Sequence, residues 1–358
     1  MNRLVTLFPS GTACSFQNLE VLKIGTCSAL EVVYEIEENA GSDLSVTKLK
    51  KLSLTDLANL QHIWRRDPRG ILSFQNLSSV TVMGCSSLGY LFHASVAKAL
   101  VQLVELEVRD SSLEVVAAED KGVPPASVLE FVFPRVTKLE LSDLPQLKSF
   151  YPGKYISRWP SLRELMISKS SKVEIFAFDS KKSQAVTRNG NQAEQPLLLV
   201  DKVLFPSLQI LVLSHMESLS IIWHDLLAEK SFDQLRDVKI DHCKKLMRIF
   251  PPKTTLERFR NLEKLRIAYC DSLEGVFDIA GRCHDPVIKM SLRALCLSNL
   301  PKLLSMCNAD IGGTISFDDL KPVQVIACPK LEISRGIAFT LEESQDLEES
   351  LDADYSSD

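Results

Sequence analysis

Two histidines are the first residues to weigh for chemistry. His215 and His242 stand 27 residues apart, the second flanked by Asp241 and Cys243, and imidazole, carboxylate and thiolate are donors that hold a transition metal. The two rings fall in one column of a repeat described below, and the neighbouring Cys243 belongs to a column of its own that reads as buried. A stacked surface pair is therefore the better reading, and no metal is expected. A second motif, Gly84-Cys85-Ser86-Ser87-Leu88-Gly89, has the spacing of a phosphate loop but runs into Tyr90-Leu91 where a lysine and a hydroxyl should follow. It reads as part of the repeat. No serine-hydrolase elbow, metalloprotease helix, calcium loop or kinase signature occurs, and no nucleophile stands beside a base. The expectation is a protein that is not an enzyme and needs no cofactor.

The nine cysteines point from chemistry to architecture, because none forms a closely spaced pair and five of them recur at one position of a repeat. Counting from a large residue at the start of each unit (Phe16, Val46, Phe74, Leu100, Phe133, Trp159, Phe205, Phe232, Phe259, Lys289 and Phe317), the units are 26 to 33 residues long with one of 46. Positions three, six and eight after each anchor are apolar almost throughout, as in Leu235, Val238 and Ile240. Eleven after the anchor stand Cys27, Leu57, Cys85, Ser111, Leu144, Ser170, Met216, Cys243, Cys270, Leu300 and Cys328. This column is expected to enter the turn after a strand, where a thiol or hydroxyl meets backbone groups of neighbouring units. Buried reduced thiols fit a cytoplasmic or nuclear compartment.

The elements follow from the period. Two apolar residues bracketing a polar one put their side chains on one face of a short strand, so each unit offers a strand to a parallel sheet. One unit cannot bury that face alone, and stacking neighbours supplies the missing surface. The pattern is that of a leucine-rich repeat, and the predicted fold is an α/β repeat solenoid, a curved horseshoe with a parallel concave sheet and a mostly loop or short-helix convex side. Eleven strands at their usual spacing span on the order of 50 Å. Seven of the units close on an aromatic, namely Tyr34, Trp64, Phe92, Tyr151, Trp223, Phe250 and Phe277. One per unit beside core positions, they read as core filler and not as a stacking stripe for nucleic acid. The net charge of -5 and the lack of a basic groove exclude nucleic acid as a partner. No run of about 18 apolar residues exists to span a membrane.

The concave face is where such a solenoid meets a partner. The residues bisecting each apolar pair read Lys23, Ser53, Thr81, Glu107, Glu140, Met166, Val212, Lys239, Arg266, Cys296 and Gln324. They band by charge. Glu105, Glu107, Glu140 and Glu164 form an acidic sector, Met166, Ile210 and Val212 an apolar one, and Lys239, Lys264 and Arg266 a basic one. These ten are the candidate partner-binding residues, an apolar centre with charged flanks.

The solenoid is predicted over residues 1–334, with polar insertions near 35–45, 118–130 and 179–202, followed by an acidic disordered tail over 335–358. From Thr340 onward the chain carries eight acidic residues and no basic one. Leu4, Leu7, Phe8 and Pro9 match the closing half of a unit, as Leu246, Ile249, Phe250 and Pro251 do, so about eleven units follow an N-terminal half unit. The expectation from that half unit is the carboxy-terminal part of something longer, or a truncated gene product.

Two phrases carry a specific resemblance. Phe259-Arg-Asn-Leu-Glu-Lys-Leu-Arg-Ile-Ala-Tyr-Cys-Asp-Ser-Leu-Glu-Gly-Val-Phe277 and Leu49-Lys-Lys-Leu-Ser-Leu-Thr-Asp-Leu-Ala-Asn-Leu-Gln-His-Ile-Trp64 resemble the carboxy-terminal repeats of plant intracellular nucleotide-binding leucine-rich-repeat disease resistance proteins of the coiled-coil class. The mixing of such units with Leu144-Pro145-Gln146-Leu147 and Leu300-Pro301-Lys302-Leu303, and the opening Phe205-Pro206-Ser207-Leu208, strengthen the likeness, which covers about Met1 to Ser334. The resemblance implies a cytoplasmic protein-recognition and regulatory module in plant defence. Its partners would be a pathogen effector or a guarded host protein, and a nucleotide-binding module of the same or a related receptor. The sequence contains neither a coiled coil nor that module, so nucleotide binding is not carried over. The competing reading is a leucine-rich-repeat substrate receptor or scaffold, such as a ubiquitin-ligase adaptor, although no F-box-like segment precedes the repeats.

Overall fold

The computed structural model describes residues 4–36, 45–119, 127–170, 205–222, 232–250, 259–278, 287–308, 314–317 and 320–332. The stretch 179–202 and the tail 335–358 lie outside the described residues, as does Trp223. Residues 37–44 and 120–126, within the two other expected insertions, also lie outside the described residues. Ile36 is still buried, one strand runs to Ala118, and the next begins at Leu129.

Eleven strands form one parallel sheet in chain order: β1 (Val21–Gly25), β2 (Lys51–Thr55), β3 (Ser79–Met83), β4 (Glu105–Arg109), β5 (Lys138–Ser142), β6 (Glu164–Ser168), β7 (Ile210–Ser214), β8 (Asp237–Asp241), β9 (Lys264–Ala268), β10 (Ala294–Ser298) and β11 (Val323–Ile326). Every unit anticipated from the period contributes one. The second and fourth residues of β1 to β10, and the first and third of β11, point inward, so Leu165 and Ile167, Leu211 and Leu213, Val238 and Ile240, and Leu265 and Ile267 are fully buried. Each such side chain contributes about 1.5–3 kcal/mol by leaving water.

The convex side differs in detail from the expected loops and helices. It carries short parallel strand pairs, Thr6–Phe8 with Val32–Tyr34 and His62–Trp64, Tyr90–His93 with Val115–Ala118, and Leu129–Val132 with Tyr155–Arg158. Among the described residues the one α-helix is Ala94–Ala99. The β-branched and aromatic closing segments favour extended backbone over helix. Phe8 aligns with Tyr34 and Tyr34 with Trp64, so the three short strands stack in one register. The closing aromatics Tyr34, Trp64, Phe92, Tyr151, Phe250 and Phe277 are buried, as core filler must be. The anchor position is less regular. Phe16 and Val46 are exposed, and Thr47 and Met290, each one residue past its anchor, are buried. No helix among the described residues is long and apolar enough to cross a membrane.

Two columns behind the sheet explain how the chain leaves each strand. The residue after every strand has a left-handed backbone, with φ near +50° at Thr26, Asp56, Asp110, Asp143, Lys169, His215, His242, Tyr269, Asn299 and Ala327, and +65° at Gly84. That turn aims its N–H at the last carbonyl of the next strand, as from His215 to Asp241 at 3.0 Å and from His242 to Ala268 at 3.0 Å. The following position is the cysteine column. Its side chains donate to the carbonyl two residues back within their own unit, Cys243 to Asp241 at 3.3 Å, Cys270 to Ala268 at 3.3 Å, Ser111 to Arg109 at 2.9 Å and Ser170 to Ser168 at 2.9 Å. Contacts between units accompany these, for the Cys85 N–H donates to Ser111 Oγ of the next unit at 3.3 Å and Cys243 Sγ lies 4.0 Å from the Leu213 carbonyl of the preceding one. Burial pushes the Cys85 thiol up to about 11, and the hydrogen bond with Cys270, followed by burial, raises the Cys243 thiol, which keeps both protonated.

Candidate functional site

Register places the bisecting residues in one unbroken row across the sheet. Glu107 pairs with Glu140, Glu140 with Met166, Met166 with Val212, Val212 with Lys239, Lys239 with Arg266, and Arg266 with Cys296. The row beside it runs Glu105, Lys138, Glu164, Ile210, Asp237 and Lys264. All ten candidate residues therefore share one face. Glu105 and Lys264 are exposed, and Glu107, Glu164, Met166, Ile210, Val212, Lys239 and Arg266 are half-buried.

Glu140 departs from the expectation of a solvated acid, for it is only 6% exposed. The cause is Arg109 at the end of β4, whose Nε lies 2.8 Å from Glu140 Oε1 and whose Nη2 donates to Oε2 at 3.0 Å. Nε also lies 2.8 Å from Glu107, Ser142 Oγ donates to Glu140 Oε1 at 3.2 Å, and Lys138 Nζ stands 3.8 Å from Oε2. Burial works against the charge on Arg109, but Glu140 and Glu107 outweigh it and raise its pKa. The acidic sector is thus a cross-strand ion cluster with part of its charge cancelled.

The basic sector is balanced in a similar way. Arg266 Nη2 lies 3.7 Å from Asp237, and Lys239 Nζ lies 3.9 Å from Asp241. Burial raises the Asp237 carboxyl pKa, while Arg266, Lys264 and Lys239 pull it back down. Between the two clusters Met166, Val212 and Ile210 form the uncharged centre. Arg109, Asp237 and Asp241 are the members that the bisecting row alone does not reveal. They stand two residues from it along each strand, on the same face by the period of two, and counting them would have found them.

At the exit end of β7 and β8 the two histidines do stack. Their ring centroids are 4.2 Å apart and the planes 7° from parallel, and Tyr269 continues the ladder at 4.5 Å from His242. Asp241 Oδ1 lies 3.7 Å from His215 Nδ1 and 3.3 Å from His242 Nδ1, and Ser214 Oγ donates to Asp241 Oδ1. Among the described residues this is the group whose ligand atoms converge closely enough to hold a metal ion, all within 4.8 Å of one another. Cys243 is excluded from it, being turned to a backbone carbonyl. A cleft of about 330 Å³ between Pro68–Phe74 and Ser95–Ala99 has an apolar floor and Arg69 and Lys98 at its rim, with Arg69 held 3.1 Å from Asp67.

Comparison with known sequences adds to this geometry. Residues 1–112, 124–255 and 207–348 match the family described as "Plant disease resistance protein RPS2-like, leucine-rich repeats". A similar curated protein is the Arabidopsis thaliana "Disease resistance protein At4g27190", 31% identical over 173 residues, which is 48% of this chain and 15% of that protein. The match thus spans about a seventh of the relative's length.

Proposed function

This chain belongs to the leucine-rich repeats of RPS2-like plant disease resistance proteins, and on that premise we propose that it is the recognition and regulatory part of an immune receptor inside the plant cell. In this reading it catalyses nothing. Its concave face takes a protein ligand, either a pathogen effector or a host protein that an effector has modified, and its state is passed to a nucleotide-binding module. The observation that supports it is the apolar centre of Met166, Ile210 and Val212 on an eleven-stranded sheet, framed by clusters of paired charges. Apolar side chains left on a sheet face gain by burial against a partner, while the fixed charges around them set which partner fits.

The test is a defence assay in leaf tissue with the chain in its receptor, comparing the wild type with Met166→Glu/Val212→Glu. A response to a matched effector that the double variant loses, with receptor level and melting behaviour unchanged, supports the reading. A response that survives with equal strength refutes a role for this face.

A further inference from the structure

The geometry points to a divalent transition-metal site at the exit end of β7 and β8, formed by the Nδ1 atoms of His215 and His242 and by Oδ1 of Asp241. Ligand atoms about 2.0–2.2 Å from one tetrahedral ion lie roughly 3.4 Å from one another. Asp241 Oδ1 stands 3.7 Å from the first imidazole nitrogen and 3.3 Å from the second, close to that edge and too long for strong hydrogen bonds. The three donors come from two adjacent units, so one ion would bridge them where the chain turns away from the sheet.

The placement is particular to these units. Among the last residues of the eleven strands Asp241 is the one carboxylate, and the two imidazoles occupy consecutive left-handed turns on either side of it. Lys239 Nζ lies 3.9 Å from Oδ2, the other oxygen of the same carboxylate. Ser214 Oγ lies 2.8 Å from His215 Nδ1 and donates to Asp241 Oδ1, so an incoming ion takes the place of the Nδ1 proton that this chain of hydrogen bonds holds. The His215 and His242 side chains are 46% and 37% exposed, which leaves room for water to fill the remaining coordination positions. The nitrogen and carboxylate donor set suits Zn²⁺, and also Ni²⁺ or Cu²⁺. An ion cannot lie in the plane of two parallel rings, so loading must turn at least one imidazole about its Cβ–Cγ bond and break the stack.

The test takes the full chain, stripped with a chelator, and titrates it with Zn²⁺ by calorimetry at neutral pH. The expected result is one ion per chain, bound at least about tenfold more weakly by His215→Asn/His242→Asn and by Asp241→Asn. Asparagine tolerates the left-handed turn, and a wild-type melting temperature of the metal-free variants shows that the loss is one of ligands. Co²⁺ then separates this site from the thiols, because imidazole and carboxylate ligation gives visible bands without the intense near-ultraviolet band of a thiolate ligand. Zinc affinity unchanged in the histidine variant, a thiolate band with Co²⁺, or no binding by the wild type at about 100 μM ion overturns the proposal.

Discussion

The guanidinium of Arg109 lies across the carboxylate of Glu140 on the neighbouring strand, with Nε 2.8 Å from Oε1 and Nη2 3.0 Å from Oε2. A carboxylate so little exposed depends on its partner, since removing one member of a buried pair strands the other. Arg109→Ala is expected to destabilise by about 1–3 kcal/mol, the lower end reflecting the solvent that reaches the arginine. Arg109→Ala/Glu140→Gln should recover much of the loss. Urea denaturation of the three variants measures both, and equal midpoints for the wild type and Arg109→Ala would exclude the dependence.

Leu265 is fully buried, and its neighbours in register are Val238 and Leu295. Leu265→Asp places an unpaired charge between two units and should cost about 3–5 kcal/mol, with loss of cooperative melting. Thermal unfolding followed by circular dichroism reads it, and an unaltered curve contradicts the inward register of β9.

Gly84 combines a φ of +65° with crowding, for an added Cβ would stand 2.6 Å from Asp56 Oδ1 and 3.3 Å from the Asp56 backbone. Gly84→Ala is expected to cost about 1–2 kcal/mol. Gly11→Ala, where φ is +79° and the space is open, isolates the backbone part and should cost less. A larger loss at position 11 than at 84, measured by chemical denaturation, would contradict the crowding.

Replacing Lys239, Lys264 and Arg266 by Gln should weaken association with a verified concave-face ligand by about tenfold, mainly through a slower on-rate and a shallower salt dependence. Neutral side chains are preferable to reversal, because glutamates at 239 and 266 would face Asp241 and Asp237. Surface plasmon resonance at two ionic strengths distinguishes the cases, and an unchanged on-rate would remove the basic sector from recognition.

Acid should weaken the fold through His215. Burial, followed by the charge of His242 and with Lys169 adding to it, lowers its pKa, while Asp241 and Glu217 oppose the shift. The unfolded chain takes up this proton near pH 6.5 and the folded chain only at lower pH. The contribution is therefore intact above about 6.5 and is lost as pH falls from there through the folded-state value. The slope of stability against pH in that window should shrink in His215→Asn. An identical slope in wild type and variant would contradict this.

Strand positions were legible because alternation with period two is enforced by burial, as at Val238 and Ile240, and each unit repeats it. The left-handed column was not, since Thr26, Lys169, Tyr269 and Ala327 give no local signal of positive φ, and only Gly84 and the Asp, Asn and His members do. What imposes the turn is the carbonyl of the next strand, a contact between units. The acidic and basic sectors were legible as residue types but not as charges, because Arg109 and Asp237 cancel them from neighbouring strands. Lys289 marks the anchor position by count alone, and its neighbour Met290 is the residue that enters the core.

Met166 and Val212 sit in the same register as Glu140 and Met166, although 46 residues separate the first pair and 26 the second. The length of the return path leaves no mark on the sheet. Unequal crossing-over that lengthens, shortens or exchanges the back of a unit will therefore keep the reading face in frame. A duplicated whole unit inserts one new column of side chains without disturbing the others. Diversity on this face can be generated by shuffling units as well as by point substitution.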